Sequence, residues 1–185
     1  NLDKLKEYNF SICECKKCIL SESRSNFVFG TGNANADIVF VGEAPGLMED
    51  ESGEPFVGRS GKLLDKILTS INLNRSDVYI CNVLKCRPPK NRDPLPSEVE
   101  LCESYLKTQL SIIKPNLIVA LGRIAACTLL KKNELLKNLR NKIFKYENFD
   151  LIVTYHPAAL LRNPNFKIEA VKDFQLIYNK YLQYN

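Results

Sequence analysis

The chain has 185 residues, of which 45% are apolar and 25% are charged, the usual proportions of a soluble globular protein. No apolar run approaches the roughly 20 residues that a membrane-spanning helix needs, and the polar first ten residues do not resemble a secretory signal. We therefore expect one cytoplasmic domain over residues 1–185 and, by default, a monomer. The net charge of +5 weakly favours an anionic partner such as nucleic acid.

Hydrophobic periodicity predicts an alternation of helices and strands along the chain. Helices are predicted at 2–9, 62–71, from Ser97 to about Leu110, at 124–130 and at 166–182. Strands are predicted at 37–42, 77–83, 116–121 and 151–155. This alternation predicts an α/β fold with a parallel sheet covered by helices on both faces. Residues 131–149 are polar and poorly patterned, and we expect an edge hairpin there.

The stretch from Asp37 to Gly58 combines a buried strand with a long loop rich in glycine and proline. The loop follows the carboxyl end of the strand, which is where open α/β sheets place their ligand sites. The stretch therefore predicts a ligand site at this edge of the sheet. An ordinary strand-to-helix turn is the alternative, because such turns are also rich in glycine and proline.

A second loop, at residues 85–96, is interrupted by four prolines and cannot be a helix or a central strand. Ser97 is a plausible N-cap for the next helix, and Glu100 completes a capping-box pattern. The loop is basic, and its cations could follow a phosphate backbone or could simply be solvated surface. These cations are Lys85, Arg87, Lys90 and Arg92.

Seven cysteines suggest metal or redox chemistry, because an intracellular chain of this length has little use for disulfides. Cys15 and Cys18 form a C-x-x-C pair, Cys86 begins the proline-rich loop, and Cys102 lies in the following helix. These four predict one metal site, although spacing alone does not separate zinc from an iron–sulfur cluster. The alternative, a buried free thiol, suits Cys81 and Cys127. Cys13 stays unassigned.

Three chemically distinct side chains fall at strand ends on the same side of the predicted sheet. Phe56 offers a flat apolar face for a planar ring, and Asn82 offers a donor and an acceptor suited to a base edge. His156, the chain's single histidine, could stabilise a developing anion. Each residue also has a purely structural interpretation, as a core ring, a turn cap or a structurally bonded histidine.

The segment HPAALLRNP, at 156–164, places apolar residues and an arginine on a proline-stiffened loop beside the predicted pocket. This composition is typical of a wedge that enters a duplex while arginine contacts phosphate. Ala158, Leu161 and Arg162 are the candidate contacts. The alternative is that the segment is only the beginning of the last helix.

These segments together resemble the family 4 uracil-DNA glycosylases, the iron–sulfur branch of that superfamily. The matching segments, in the family's order and spacing, are GEAPG (42–46), GEPFVGRSGKLL (53–64), CNVLKCRPPKNRDPLP (81–96), Cys102 and HPAALLRNP (156–164). The resemblance covers nearly the whole chain, except residues 131–149, which match poorly. It implies an α/β/α sandwich around a four-stranded parallel sheet.

The resemblance also implies roles for particular residues. It assigns Cys15, Cys18, Cys86 and Cys102 to a structural [4Fe–4S] cluster that ties the N-terminal segment to the 85–102 loop. It places Phe56 under a flipped uracil, Asn82 on the polar edge of the base and His156 near uracil O2.

Further roles follow for the GEAPG motif and the residues around it. Glu43 falls in the water-binding motif as a catalytic residue, between Gly42 and Ala44 on the substrate wall. Glu49 aligns with a position that crowds the 5-methyl group of thymine. Arg87 and Arg92 join the wedge residues as expected DNA contacts.

The implied reaction is hydrolysis of the bond between uracil and deoxyribose in double- or single-stranded DNA, the first step of base excision repair. A sliding clamp is a conceivable partner. Two other classes stay open on the sequence: a non-catalytic nucleic-acid reader that uses the pocket to bind a base, and a redox protein that uses the cluster to carry electrons. Neither of these needs the histidine, asparagine and phenylalanine together.

Overall fold

A computed structural model describes residues 1–184, which form one mixed sheet with helices packed on both of its faces. The strands are β1 (Thr31–Gly32), β2 (Ile38–Gly42), β3 (Tyr79–Asn82), β4 (Leu117–Leu121), β5 (Ile143–Tyr146) and β6 (Phe149–Thr154). The α-helices are α1 (Leu2–Ile12), α2 (Leu20–Ser23), α3 (Leu47–Ser52), α4 (Arg59–Ser70), α5 (Pro96–Ile113), α6 (Arg123–Leu130), α7 (Leu136–Leu139), α8 (Pro157–Arg162) and α9 (Lys167–Leu182). Short 3₁₀ turns lie at Pro89–Asn91 and Pro164–Phe166.

The centre of the sheet consists of four parallel strands, β3, β2, β4 and β6, in that order. Every residue of β2, β3 and β4 is buried, which explains their continuous apolar runs, because a parallel sheet is covered on both faces. The strands are in register at their carboxyl ends, where Gly42 pairs with Asn82 and Leu121 with Thr154. The predicted α/β class is confirmed.

The four expected parallel strands are present, and within residues 1–184 the sheet has six strands because one antiparallel strand is added at each edge. β1 pairs with β3 and β5 pairs with β6, both antiparallel, at the two edges of the sheet. β1 has only two residues, and β5 is largely exposed, so neither carries the apolar run of a buried strand. Of the hairpin expected within 131–149, only β5 lies in that range; it pairs with β6, the strand predicted at 151–155, and the short helix α7 precedes it.

Two other local expectations are wrong. α5 begins at Pro96, one residue before the proposed cap Ser97, and the Glu98 carboxylate, not that of Glu100, accepts the main-chain N–H of Leu95 at 2.9 Å. Proline suits the first position of a helix because its missing N–H would be unpaired there. The segment after His156, expected as a loop, is the helix α8, which also begins with a proline.

Apolar side chains from both faces of the sheet bury its central strands. One face packs against α1, α5 and α6, and the other packs against α4 and α9. The longest helices thus cover the sheet, while the carboxyl ends of the parallel strands are left to loops and short helices. No helix in residues 1–184 is long and apolar enough to cross a membrane.

Candidate functional site

A cavity of about 600 Å³ opens at the carboxyl ends of the four parallel strands. Its wall includes Glu43 after β2, Asn82 at the end of β3, Gly122 after β4 and His156 after β6. This edge is where an open parallel sheet leaves space between diverging loops, so the sheet itself dictates the place of the cavity. The wall also contains Glu49 of α3 and Phe56 from the loop between α3 and α4.

The structure brings the side chains of Phe56, Asn82 and His156 together in this cavity. The rings of Phe56 and His156 lie 5.4 Å apart between centroids, tilted by 31°. Gly42 leaves room for the side chains of Asn82 and Phe56, since a Cβ added there would lie 2.3 Å from Asn82 Oδ1 and 2.6 Å from Phe56 Cζ. A side chain at position 42 would therefore displace both.

Phe56 is held in an uncommon backbone conformation, with a φ of 54°. For a bulky residue this left-handed conformation is strained and persists only where its surroundings fix it. Here the Arg75 guanidinium donates to the Phe56 carbonyl at 3.0 Å and to the Pro55 carbonyl, while it also pairs with Asp65. Arg75 lies on no predicted motif, so nothing in the sequence indicated its role.

His156 is the N-cap of α8, and its Nδ1 accepts the main-chain N–H of Ala158 at 3.1 Å. Because Nδ1 is the acceptor, the neutral ring carries its proton on Nε2. Burial and the nearby Arg162 lower the pKa of His156 from 6.5 to about 4, so the ring is neutral at physiological pH. His156 therefore has a structural role as a helix cap, and its functional interpretation stays a prediction.

Asn82 is 2% exposed, and among residues 1–184 its Oδ1 has no hydrogen-bond partner. A buried polar atom without a partner is costly and uncommon, and it needs an explanation such as a ligand. The main-chain carbonyl of Asn82 accepts from Lys85 Nζ at 2.8 Å. Lys85 is 0% exposed, and its ammonium also donates to Gln109, so the expectation that Lys85 follows a phosphate backbone is wrong.

Two carboxylates, Glu43 and Glu49, line the cavity and face different surroundings. Burial and the nearby Asp93 raise the pKa of Glu43 from 4.5 to about 7, partly offset by Arg123. Glu49 is buried, and its Oε1 accepts the main-chain N–H groups of Val57 and Gly58, each at 3.0 Å. Glu49 thus ties the loop after Phe56 to α3. Ala44 also lies on the cavity wall.

The expected DNA contacts fall into two groups around the cavity. On α8, Ala158 and Arg162 line the cavity, whereas Leu161 is 39% exposed and lies outside its wall. Arg92 also lines the cavity and forms a two-point ion pair with Glu98, at 2.9 and 2.5 Å. Arg87 lies outside the wall, where its Nε donates to Asn91 at 2.7 Å.

Arg123 is a cavity residue that the sequence reading missed. It begins α6, directly after the glycine that follows β4, and it is exposed at the cavity wall. Its predecessor Gly122 has a φ of 91°, and a Cβ there would lie 2.9 Å from His156 Cβ. The signal was available, because the rule that identified the ends of three parallel strands applies equally to the end of β4.

The four cysteines expected to bind metal come from three separate segments. Cys15 and Cys18 lie close enough to raise the pKa of the Cys86 thiol, and Cys15 and Cys86 lie close enough to raise that of Cys102. Cys18 and Cys102 pack with Cys86 against Leu20 and Leu84. Burial raises the pKa of the Cys102 thiol to about 11.

Two side chains donate hydrogen bonds to sulfur within this group of cysteines. Arg24 reaches Cys86 Sγ at 3.1 Å and the carbonyl of Cys15 at 2.8 Å, and the Tyr105 hydroxyl reaches Cys15 Sγ at 3.1 Å. In the described part of the chain, no three His, Cys, Asp or Glu side chains converge as ligands of one metal ion would. Cys81 is buried in β3 and Cys127 is half-buried in α6, away from this group.

Comparisons with known proteins agree with the geometry. The sequence model of the Uracil DNA glycosylase superfamily matches residues 29–180. A type-4 uracil-DNA glycosylase of Archaeoglobus fulgidus is 48% identical over 184 residues, covering 95% of this chain and 92% of the relative. One from Sulfurisphaera tokodaii is 45% identical, covering 96% and 83%. A type-5 uracil-DNA glycosylase of Pyrobaculum aerophilum is 36% identical, covering 70% and 64%. The chain therefore belongs to the uracil DNA glycosylase superfamily, in its type-4 branch.

Proposed function

We propose that this protein is a monofunctional uracil-DNA glycosylase, which hydrolyses the N-glycosidic bond of deoxyuridine in DNA and leaves an abasic site. The observation that carries the proposal is the meeting of Phe56, Asn82 and His156 in one cavity at the ends of parallel strands. The reaction requires the nucleotide to leave the base stack, which costs a few kcal/mol and least for a mispaired base. The cavity then receives the extruded base.

Base selection rests on Asn82 and Phe56. Phe56 presents its ring to the base by stacking, and the amide of Asn82 pairs with the base edge. Uracil offers an N3–H donor beside the O4 acceptor, which complements the Asn82 Oδ1 acceptor and its NH₂ donor. Cytosine presents the opposite pattern and would leave buried groups unpaired. Glu49 lies on the cavity wall, where it would crowd a 5-methyl group and so disfavour thymine.

His156 stabilises the leaving base. As the glycosidic bond breaks, negative charge develops on uracil and is shared with O2. The neutral imidazole, with its proton on Nε2, donates a hydrogen bond to that oxygen. The cap contact at Nδ1 fixes the tautomer, so the donor is already oriented before the bond breaks.

Glu43 positions the water that attacks the sugar. Its carboxylate lies at the end of β2, on the cavity wall next to Gly42 and Ala44. A carboxylate with a pKa of about 7 accepts the proton of an attacking water at neutral pH more readily than an ordinary one. Its negative charge also suits the cation-like sugar that departure of the base leaves behind.

The DNA backbone contacts the cavity rim. Arg162 and Ala158 on α8 lie at the wall, the exposed Leu161 serves as the apolar wedge, and Arg87 and Arg92 meet the phosphates. Because Arg92 is already paired with Glu98, its contact with phosphate is expected to be weaker than that of Arg162.

We assign Cys15, Cys18, Cys86 and Cys102 as the ligands of a [4Fe–4S] cluster, in which each thiolate binds a different iron, so the four need not converge on one metal ion. Such clusters take four thiolates and are tuned by hydrogen bonds to sulfur, of the kind that Arg24 and Tyr105 supply. When bound, the cluster would cross-link the N-terminal segment to the 85–102 loop, and so make residues 1–185 one domain. We assign it no part in bond cleavage.

The test is release of free uracil from an end-labelled duplex with one U·G pair, read as strand cleavage after alkali. Matched duplexes with T·A and T·G at the same position are the controls. We expect cleavage only at uracil. Tight binding to the U·G duplex without base release would overturn the proposal in favour of a base reader. The monomeric state is checked by light scattering of the protein with and without DNA.

A further inference from the structure

One buried ionic network has no part in the proposed reaction, and it contacts the two residues that precede His156. Its centre is Arg140, which is 6% exposed and follows α7 in the segment that the family resemblance did not cover. The guanidinium makes a two-point ion pair with Asp173 of α9, at 2.7 and 3.1 Å. Asp173 is 0% exposed. A buried charge pair is costly to assemble, and in some proteins such pairs fix a unique geometry.

The network forms hydrogen bonds with the last two residues before His156. The Thr154 hydroxyl donates to Asp173 at 2.8 Å, and Arg140 donates to the Tyr155 hydroxyl at 3.2 Å. Arg140 also lies over the Tyr155 ring, 4.4 Å from its centroid, and that ring stacks on Phe166 at 4.7 Å. The Tyr155 hydroxyl in turn donates to Glu169 at 2.6 Å. The side chains of Thr154 and Tyr155 are therefore both held by α9, and Tyr155 also by Phe166 just before that helix.

The main chain at this point contacts a residue of the cavity wall. The Thr154 carbonyl accepts the N–H of Gly122, and Gly122 lies against the side chain of His156. The network's own residues, Arg140, Thr154, Tyr155 and Asp173, are not among those that line the cavity. They touch the residues that hold the histidine, and they do not touch the space where a base would lie.

We infer that Arg140, Asp173 and Thr154 are positioning residues that fix the main chain before His156 and so aim its imidazole into the cavity. The inference rests on the proposed function only for its effect on rate. The aim of the imidazole is a property of the protein alone and can be measured without DNA.

A second ionic group on the same strand provides the matched control. At the start of β6, Asp150 pairs with Lys145 at 2.5 Å, pairs with Lys180 at 3.2 Å and accepts from the Tyr184 hydroxyl. This group also ties β6 to α9, but at the end of the strand away from the cavity. Asp150→Asn therefore weakens the same pair of elements without touching the approach to His156.

The experiment compares Asp173→Asn, Thr154→Val and Asp150→Asn with the wild type in two measurements. The first is the NMR spectrum of tag-free protein, in which every imidazole signal belongs to His156 because the chain has one histidine. The second is the single-turnover rate of uracil release with saturating U·G duplex, beside the dissociation constant for the duplex. Melting temperatures are recorded for all variants.

We expect Asp173→Asn to shift or broaden the imidazole signal and to lower the rate by about 10- to 100-fold, since a misplacement of about 1 Å costs that much. Thr154→Val, which keeps the ion pair and the residue's volume, should shift the same signal and lower the rate by about 3- to 10-fold. Duplex binding should stay within about 3-fold of wild type. Asp150→Asn should leave both signal and rate unchanged, even where it lowers the melting temperature.

An unchanged imidazole signal and rate in Thr154→Val and Asp173→Asn would overturn the inference. The inference would also fail if, in all three variants, the loss of rate followed the fall in melting temperature, because the network would then contribute only stability. If Asp173→Asn does not fold, Thr154→Val decides. If the wild type releases no uracil, the proposed function fails, and the imidazole signal alone decides whether the network aims the histidine.

Discussion

The cavity and the cysteine group share one short connection, from Asn82 to Cys86, but they are built in different ways. In the cavity, candidate site residues such as Asn82 and His156 stand at the ends of parallel strands, and main-chain contacts hold His156 and Glu49. In the cysteine group, thiols from three segments meet, and side chains such as Arg24 and Tyr105 hold them. The cavity takes its geometry from the sheet, whereas the cysteine group depends on cross-links between segments.

This difference predicts that substitutions in the two regions will have separable effects. Changes in the cavity should alter rate or base selection with little loss of stability, because the sheet remains intact. Changes in the cysteine group should alter stability first, because the N-terminal segment is otherwise held mainly by α1 packing against α5.

The largest expected effect is on turnover in His156→Ala, which should lower the single-turnover rate about 100- to 1000-fold by removing the donor to uracil O2. DNA binding should persist. Because alanine also removes the cap of α8, which is worth about 1 kcal/mol, His156→Ser is the matched control: serine can cap the helix but cannot reach the base. Turnover close to wild type in either variant would remove the histidine from the mechanism.

Asn82→Asp should reduce the preference for uracil over cytosine by about 10- to 100-fold, the range expected for one two-point base contact. An ionised carboxylate cannot donate to uracil O4 but can accept from the amino group of cytosine. The measurement is base release from U·G and C·G duplexes in parallel, with Asn82→Ala as the control that removes both contacts. An unchanged preference would show that the selection lies elsewhere.

Cys86→Ser tests the other region. If the four thiols hold a cluster, this change should lower the iron content and should cost about 3 kcal/mol or more, equivalent to a fall of roughly 10 °C in Tm for a chain of this length. Cys127→Ser, a half-buried cysteine outside the group, is the control and should keep both values. Wild-type iron content and Tm in Cys86→Ser would contradict the ligand assignment.

The smallest expected effect is on the pH dependence of the rate. With a Glu43 pKa of about 7, only the fraction with an ionised carboxylate is active, so the rate should rise about 10-fold from pH 6 to pH 8. His156, with a pKa of about 4, should add no step near 6.5. Glu43→Gln should be slow and flat over this range. A step that persists in Glu43→Gln would assign the titration to another group.

The sequence was sufficient for the parallel strands and for the place of the cavity. Buried parallel strands have continuous apolar runs, and their carboxyl ends share one edge of the sheet. The sequence therefore predicted that Phe56, Asn82 and His156 lie close together. Of the edge strands, β1 was missed because two residues carry no hydrophobic signal, and β5, which is largely exposed, was expected only as part of an edge hairpin.

Side-chain networks were also beyond the sequence, because they join residues that are distant along the chain. The basic appearance of Lys85 suggested a surface cation, but its ammonium is buried against Asn82 and Gln109. Arg140 lies in a segment with little pattern, and only the packing of α9 shows that its partner is Asp173. Charge in a sequence indicates neither burial nor pairing, and these depend on tertiary structure.

The unpaired Oδ1 of Asn82 has a consequence for what happens after bond cleavage. An acceptor that only a ligand satisfies does not distinguish a base attached to DNA from the same base released, since N3–H is identical in both. Free uracil therefore retains the contact that selected it and should remain in the cavity as a competitive product inhibitor. The selectivity of the pocket thus limits its speed: the better the cavity recognises uracil, the more slowly the enzyme is cleared for another round.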